Sequence, residues 1–363
     1  MDKKNLEQLL QQQNKLLEQT NRLLENQNQL LQKKPAIREE FVENILQDEF
    51  RSGFLVTSHR KKLWNVQVGL INEFARICAK HNLKWFAYGG TLLGAVRHKG
   101  FIPWDDDVDL AMLRPDYEKF KRIAAEEIQY PYFLDDWCNV RLESDEIPDS
   151  SKFPFISRKQ EEFYFRRGYF PSLPVMKLRD CRTTMIEIPD RKDANQGIWI
   201  DIFPLDCVPP FADDKKLMFN FGSDLLVATV FPDVIKKAIS EGKKFSIPLD
   251  EMQKFLKLPY RQKALTWEKF MLDNHFKSQK VGQFRHHCIK KSFKANARKN
   301  LEKIIRLPFE KLEIFAPAGY DEFLQEYYGD WRKLVFSPGH TREYFISADI
   351  SYEEYAKKSA LMR

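Results

Sequence analysis

Trp104-Asp105-Asp106-Asp107-Val108-Asp109-Leu110, downstream of Tyr88-Gly89-Gly90-Thr91, decides how this chain is read. The glycines let backbone approach a phosphate with no Cβ in the way. The alternation Asp107-Val108-Asp109 predicts a strand that carries two carboxylates on one face, because strand side chains alternate with period two. Two hard oxygen donors side by side suit Mg²⁺ or Mn²⁺ and leave positions for substrate phosphates. A calcium loop beginning at Asp105 would need glycine at 110 and glutamate at 116, where the chain has Leu110 and Asp116. A solvated turn is equally poor. The flanks Phe101-Ile102-Pro103-Trp104 and Leu110-Ala111-Met112-Leu113 are apolar, and burying uncompensated carboxylates is costly. A bound cation offsets that cost.

A third carboxylate interrupts the apolar run Gly197-Ile198-Trp199-Ile200-Asp201-Ile202-Phe203-Pro204-Leu205-Asp206. The run predicts a buried strand ended by Pro204. Trp199 and Phe203, two residues either side of Asp201, are large and apolar, so Asp201 fits a third metal ligand or a general base. Arg97, His98 and Lys99 lie between the glycines and the acidic run and are the candidate phosphate-facing cations, with Arg97 able to fork onto phosphate oxygens. Lys177 is a further candidate.

The segment WFAYGGTLLGAVRHKGFIPWDDDVDLAMLRPDYEKF at 85–120, with WIDIFPLD at 199–206, resembles the LicD family of phosphocholine transferases, to which fukutin is related. The stretch from Pro308-Phe309-Glu310 to Tyr328-Gly329-Asp330-Trp331 resembles that family's closing motif. The resemblance implies an α+β chain of nucleotidyltransferase type, like the catalytic core of DNA polymerase β: a mixed sheet with helices. It implies transfer of a phosphorylated alcohol, phosphocholine first, from a CDP-activated donor to a hydroxyl of a cell-surface glycan such as lipopolysaccharide, teichoic acid or capsule. Carried onto this sequence, the family pattern makes Asp107, Asp109 and Asp201 the metal and catalytic carboxylates. Gly89, Gly90, Thr91, Arg97, His98 and Lys177 become the nucleotide- and phosphate-binding set. Whether Asp201 binds metal or takes a proton stays open. One rival is a metal-dependent Asp-x-Asp glycosyltransferase using a nucleotide sugar, which fits the Gly-Gly-Thr turn and the lone Asp201 strand less well. The other is a non-catalytic assembly protein built on a coiled coil.

That coiled coil is expected at residues 1–34. NKLLEQT, NRLLENQ and NQLLQKK repeat at 14–20, 21–27 and 28–34, and Pro35 ends the pattern. A leucine seam of this kind predicts a homo-oligomer. The catalytic core is expected at 35–206, a helical subdomain at 207–305 and a completing C-terminal region at 306–363. Helices are predicted at 55–82 and 116–128. The aromatic-rich stretch 129–172 reads as loops, with Trp137, Tyr164 and Tyr169 available to cage a quaternary ammonium.

With 363 residues, 43% hydrophobic, the chain can bury a substantial core. Its five cysteines (78, 138, 181, 207, 288) show no CxxC pair, which favours a reduced cytosolic setting over a disulfide scaffold. There is no apolar signal core, and the longest apolar run, 225–231, is too short to span a bilayer. A cytoplasmic protein is expected. The net charge of +7 concentrates at 277–303, where nine Lys/Arg face one Glu. That excess predicts peripheral contact with an anionic membrane; nucleic acid is not expected, since no recognition motif accompanies it.

Overall fold

Thr57 starts the first long element: its hydroxyl accepts the Arg60 N–H at 3.3 Å, the usual side-chain satisfaction of an orphan donor at a helix N-terminus. The helix, α1, runs Ser58–Lys80, two to three residues inside the predicted bounds. The computed structural model describes residues 47–137, 174–186, 195–208, 212–274, 278–284, 295–336 and 345–361. The predicted coiled coil at 1–34 lies outside these residues. The chain divides into two units, Met1–Lys61 and Lys62–Arg363. In the first, β1 (Glu49–Arg51) and β2 (Phe54–Val56) form an antiparallel hairpin.

In the second unit, Leu70, Phe74 and Ile77 on α1 are fully buried, the spacing of an apolar helix stripe. Then come β3 (Phe86–Ala87), α2 (Gly89–His98), β4 (Asp109–Leu113) and α3 (Arg114–Glu127). Pro115 sits in the first turn of α3, where its missing N–H costs nothing. β5 (Tyr132–Asp136), β6 (Met176–Asp180), β7 (Thr184–Met185) and β8 (Ile198–Cys207) follow. β8 is the organising strand of a mixed α+β sheet. It pairs parallel with β4, which pairs antiparallel with β3. On its other side lie β6, antiparallel, and then β5.

β8 does not end at Pro204 as predicted but continues to Cys207. The reason is positional. Asp201 donates its N–H to Val108 on the β4 side, so the nitrogen of Pro204, three residues on, faces the opposite side. There β6 has stopped at the partner of Ile202, and the next strand starts only at Asp206. Proline fills a gap in the ladder where no donor is needed.

Helices α4 (Ala212–Val230), α5 (Pro232–Ser240), α6 (Leu249–Leu256) and α7 (Tyr260–Asp273) follow. They enclose a second core that includes Leu226, Met252, Trp267 and Phe284. Trp137 belongs to this core: it is 1% exposed and its indole N–H donates to Glu268. It therefore has no face to offer a ligand, while Tyr164 and Tyr169 lie outside the described residues. β9 (Lys280–Gly282) and β10 (Ala295–Ala297) return to the sheet at the end of β8. The basic stretch expected at a membrane is described only at 278–284 and 295–303, since 277 and 285–294 lie outside the described residues. α8 (Lys299–Glu302), the hairpin β11 (Ile304–Phe309) and β12 (Leu312–Pro317), α9 (Tyr320–Tyr328), β13 (Ile346–Ser347) and α10 (Tyr352–Leu361) complete the chain.

Cys78 and Cys207 are buried and Cys181 is half-buried. Among the described residues no single helix is long and apolar enough to cross a membrane.

Candidate active site

β3 and β4 run antiparallel, and the chain leaves β3 at Tyr88 directly into α2. The predicted glycine turn is therefore the first turn of a helix. Gly89 takes φ +51°, a conformation that disfavours any side chain. A Cβ on Gly89 would lie 2.7 Å from Asp109 Oδ2, and one on Gly90 would lie 2.7 Å from Asp105 Oδ2. Both glycines exist so that carboxylates can rest on the backbone. Thr91 completes the contact, its hydroxyl accepting the Asp109 N–H at 2.8 Å, while Tyr88 N–H donates to the Asp109 carbonyl at 2.9 Å.

Asp109 and Asp201 are register partners on the parallel strands β4 and β8. Two carboxylates distant in sequence thus become neighbours. Asp107 is placed differently from the expectation, because β4 begins only at Asp109 and Asp107 lies in the turn before it. There Asp105, Asp106 and Asp107 bring carboxylate oxygens within 4.8 Å of one another. Asp105 and Asp106 are 6% and 3% exposed. The turn is held from α1. Trp64 Nε1 donates to the Asp105 carbonyl at 3.0 Å, and Gln67 Nε2 donates to the Asp106 carbonyl at 2.9 Å. Burial, then the charges of Asp107, Asp109 and Asp106, push the Asp105 carboxyl well above the usual carboxylate range. Such a concentration of negative oxygen fits a hard divalent cation in both donor type and charge.

Lys177 stands opposite Asp201 in the β6–β8 register, with Nζ 3.9 Å from Asp201 Oδ1 and 4.2 Å from the Trp199 ring centre. Trp199 Nε1 donates to Asp201 Oδ2 at 3.3 Å. Lys177 therefore joins the site next to the third carboxylate.

Arg97 and His98 are placed otherwise than a phosphate clamp would be. Arg97 Nη1 donates to the carbonyls of Trp331 and Lys333 at 3.2 and 3.3 Å, and its Nε donates to His98 Nε2 at 3.0 Å. The His98 ring meets Trp104 edge-on, and Trp104 meets Phe336. These side chains fasten the segment after α9 against the acidic turn. The closing motif does similar work. The Glu310 carboxylate accepts the Phe101 N–H at 3.1 Å, and the Glu310 N–H donates to the Lys99 carbonyl at 2.8 Å. Phe101 is held between Phe309 and a parallel-stacked Trp64.

Sequence reasoning missed Asp105, Asp106 and the tyrosines of α9. The first two carried a visible signal, the unbroken Asp105-Asp106-Asp107 run. The tyrosines carried none beyond lying in the closing motif.

Gly90→Ala is expected to lower turnover by about 10²-fold, the scale on which a displacement of about 1 Å in a catalytic group acts. The new methyl must displace the buried Asp105 carboxylate. Steady-state kinetics beside circular dichroism checks this: wild-type turnover in a folded variant would show that the Asp105 position is immaterial.

Residues 82–162 match the family described as LicD/FKTN/FKRP, nucleotidyltransferase domain, a span that includes α2 and every aspartate from 105 to 109. The lipopolysaccharide cholinephosphotransferase LicD of Haemophilus influenzae is 26% identical over 297 residues, 77% of this chain and 96% of that protein. An uncharacterized protein of Rickettsia typhi is 40% identical over 63 residues, 17% of this chain and 20% of its own length. One of Rickettsia prowazekii is 38% identical over 63 residues, 17% of this chain and 24% of its own.

Proposed function

We propose, starting from a chain that carries a LicD-family domain, that it moves phosphocholine from CDP-choline to a hydroxyl of a cell-surface glycan. One observation carries this reading. The span that matches the family rests Asp109 on Gly89 and Asp105 on Gly90, keeps Asp105, Asp106 and Asp107 within 4.8 Å of one another, and has Asp201 brought alongside Asp109 by strand register. The likeness to an enzyme that modifies lipopolysaccharide with phosphocholine supports the substrate class. The mixed sheet with a carboxylate pair on adjacent strands supports a nucleotidyltransferase-type core.

The acceptor hydroxyl attacks the choline-side phosphorus in line, and CMP leaves. Asp105, Asp107 and Asp109 are the residues that would hold Mg²⁺ or Mn²⁺, whose charge, when bound, neutralises the donor's diphosphate. The chain's own groups orient the reaction. Gly89 and Gly90 keep the backbone open beside the carboxylates, and Thr91 fixes Asp109. Asp201, beside Asp109 by register and held by Lys177 and the Trp199 indole on its two oxygens, either joins that cation site or takes the acceptor's proton. Arg97 and His98 keep the segment beyond α9 closed over the acidic turn. Work at the cytoplasmic face of a membrane, and self-association through residues 1–34, belong to the same proposal.

The test is CMP release from CDP-choline by the full chain, with lipopolysaccharide as acceptor, with and without Mg²⁺. Cation-dependent CMP release, with a phosphodiester in the product by mass spectrometry, is the expected result. Glycosidic product from a nucleotide sugar, with no CMP released from CDP-alcohols, would overturn it.

A further inference from the structure

A row of tyrosines leads from the carboxylates to solvent. Tyr88, bonded through its N–H to Asp109, is 2% exposed and meets Tyr327 edge-on at 5.7 Å between ring centres. Tyr327 stacks on Phe323 at 5.9 Å and contacts Tyr328 at 5.1 Å. Exposure rises along the row: Tyr327 is half-buried and Tyr328 is 42% exposed.

Tyr328 is also held from both sides. Before it, Phe323 and Leu324 on α9 are fully buried. After it, α9 stops at Gly329 with φ +71°, and Arg97 grips the carbonyls of Trp331 and Lys333. A large ring left this open, on a backbone fixed at both ends, is a preformed aromatic surface. The openness is that of the ring face and not of the hydroxyl, whose surroundings push the phenol well above its usual range, by burial first and then by Tyr327 and the negative field of Asp109, Asp105 and Asp107.

A quaternary ammonium has no N–H to donate, so hydrogen bonds cannot select it. Aromatic faces and negative potential can. Tyr328 offers such a face, linked through Tyr327 and Tyr88 to Asp109 and so next to the site that would hold the donor's phosphates. Resting on the phosphocholine reading above, we propose that the exposed face of Tyr328, backed by Tyr327, is the subsite for the donor's head group and favours a quaternary ammonium over an uncharged alcohol.

The experiment compares kcat/KM for CDP-choline, CDP-ethanolamine and CDP-glycerol in the parent, Tyr328→Phe and Tyr328→Ala. Tyr328→Ala is expected to lower the choline-to-glycerol preference about tenfold, chiefly through KM, the size of a partly desolvated cation–π contact. Tyr328→Phe keeps the ring and should keep the preference. Equal loss on all three donors would overturn the proposal and assign Tyr328 to the nucleotide or to structure, and an unchanged preference would overturn it as well. Calorimetric titration with phosphocholine gives a readout apart from turnover. Tighter binding by the parent than by Tyr328→Ala supports the subsite even if the parent releases no CMP, an outcome that defeats only the transfer reading. Equal binding, or none by either protein, overturns the subsite.

Discussion

Asp107→Asn and Asp109→Asn are each expected to lower Mg²⁺-dependent turnover by about 10²-fold or more, since the charge at a metal site contributes several kcal/mol to such a reaction. The fold should survive. Asp105, Asp106 and Asp107 already crowd their oxygens within 4.8 Å, and burial with like charge pushes Asp105 well above its usual range. Turning one neighbour into an amide relieves that repulsion, so without metal each variant should melt at or above the parent's temperature. Mg²⁺ should then raise the parent's melting temperature more than the variant's, because a ligand stabilises only the state that binds it. Asp105→Asn is expected to behave alike, because Asp105 shares the cluster. Turnover above a tenth of the parent's at saturating Mg²⁺ would remove Asp107 or Asp109 from the metal site.

Gly89, Gly90, Asp109 and Asp201 were legible in the sequence because each is a local exception: glycines at a strand end, carboxylates inside apolar runs. What could not be read was their partnership, since the pairing of Asp109 with Asp201 is set by sheet register across distant segments. Asp105 and Asp106 precede the alternating stretch Asp107-Val108-Asp109, so strand periodicity gave them no place in the site. The β4–β8 register begins at Asp109, preceded by the bond from the Asp201 N–H to the Val108 carbonyl. The turn there is closed by the Asp105 N–H to the Ile102 carbonyl and by Trp64 and Gln67 from α1. Arg97 illustrates the same limit. Its type and place suggest a phosphate ligand, yet two of its donors are taken by carbonyls more than two hundred residues away in the sequence. Trp137 and Tyr328 exchanged places for a related reason. Aromatic identity is visible in a sequence, but exposure is decided by tertiary packing, which buries the first under α7 and leaves the second open.

Arg114→Ala is expected to be the most destabilising single substitution discussed, at about 3–5 kcal/mol, the cost of leaving buried charges uncompensated. Arg114 is fully buried and forks onto Asp206 through Nε and Nη2, at 2.7 and 3.1 Å. Its Nη1 reaches Glu118 at 3.0 Å and Glu268 at 2.6 Å. One guanidinium therefore joins α3, the end of β8 and α7. Lys121 reaches Glu118, Asp136 and Glu268 only at 3.6–3.9 Å and cannot replace the fork. Even with Arg114 present, burial first and Glu268 next push the Glu118 carboxyl up to about 7. Without it, the remaining carboxylates can stay buried only by taking protons, which raises their folded-state values above the unfolded ones. A raised acid contributes stability that is complete below its unfolded value and is lost as pH rises through the folded one. The variant should therefore lose stability between about pH 5 and 8 more steeply than the parent. Urea unfolding at several pH values measures both effects. A loss below about 1 kcal/mol at pH 8 would mean that the carboxylates find water or Lys121 instead, and that the guanidinium is not what ties β8 to the helical layer. Because Asp206 shares β8 with Asp201, turnover should fall with stability, and by less than in the Asp107 and Asp109 variants, whose carboxylates belong to the site itself.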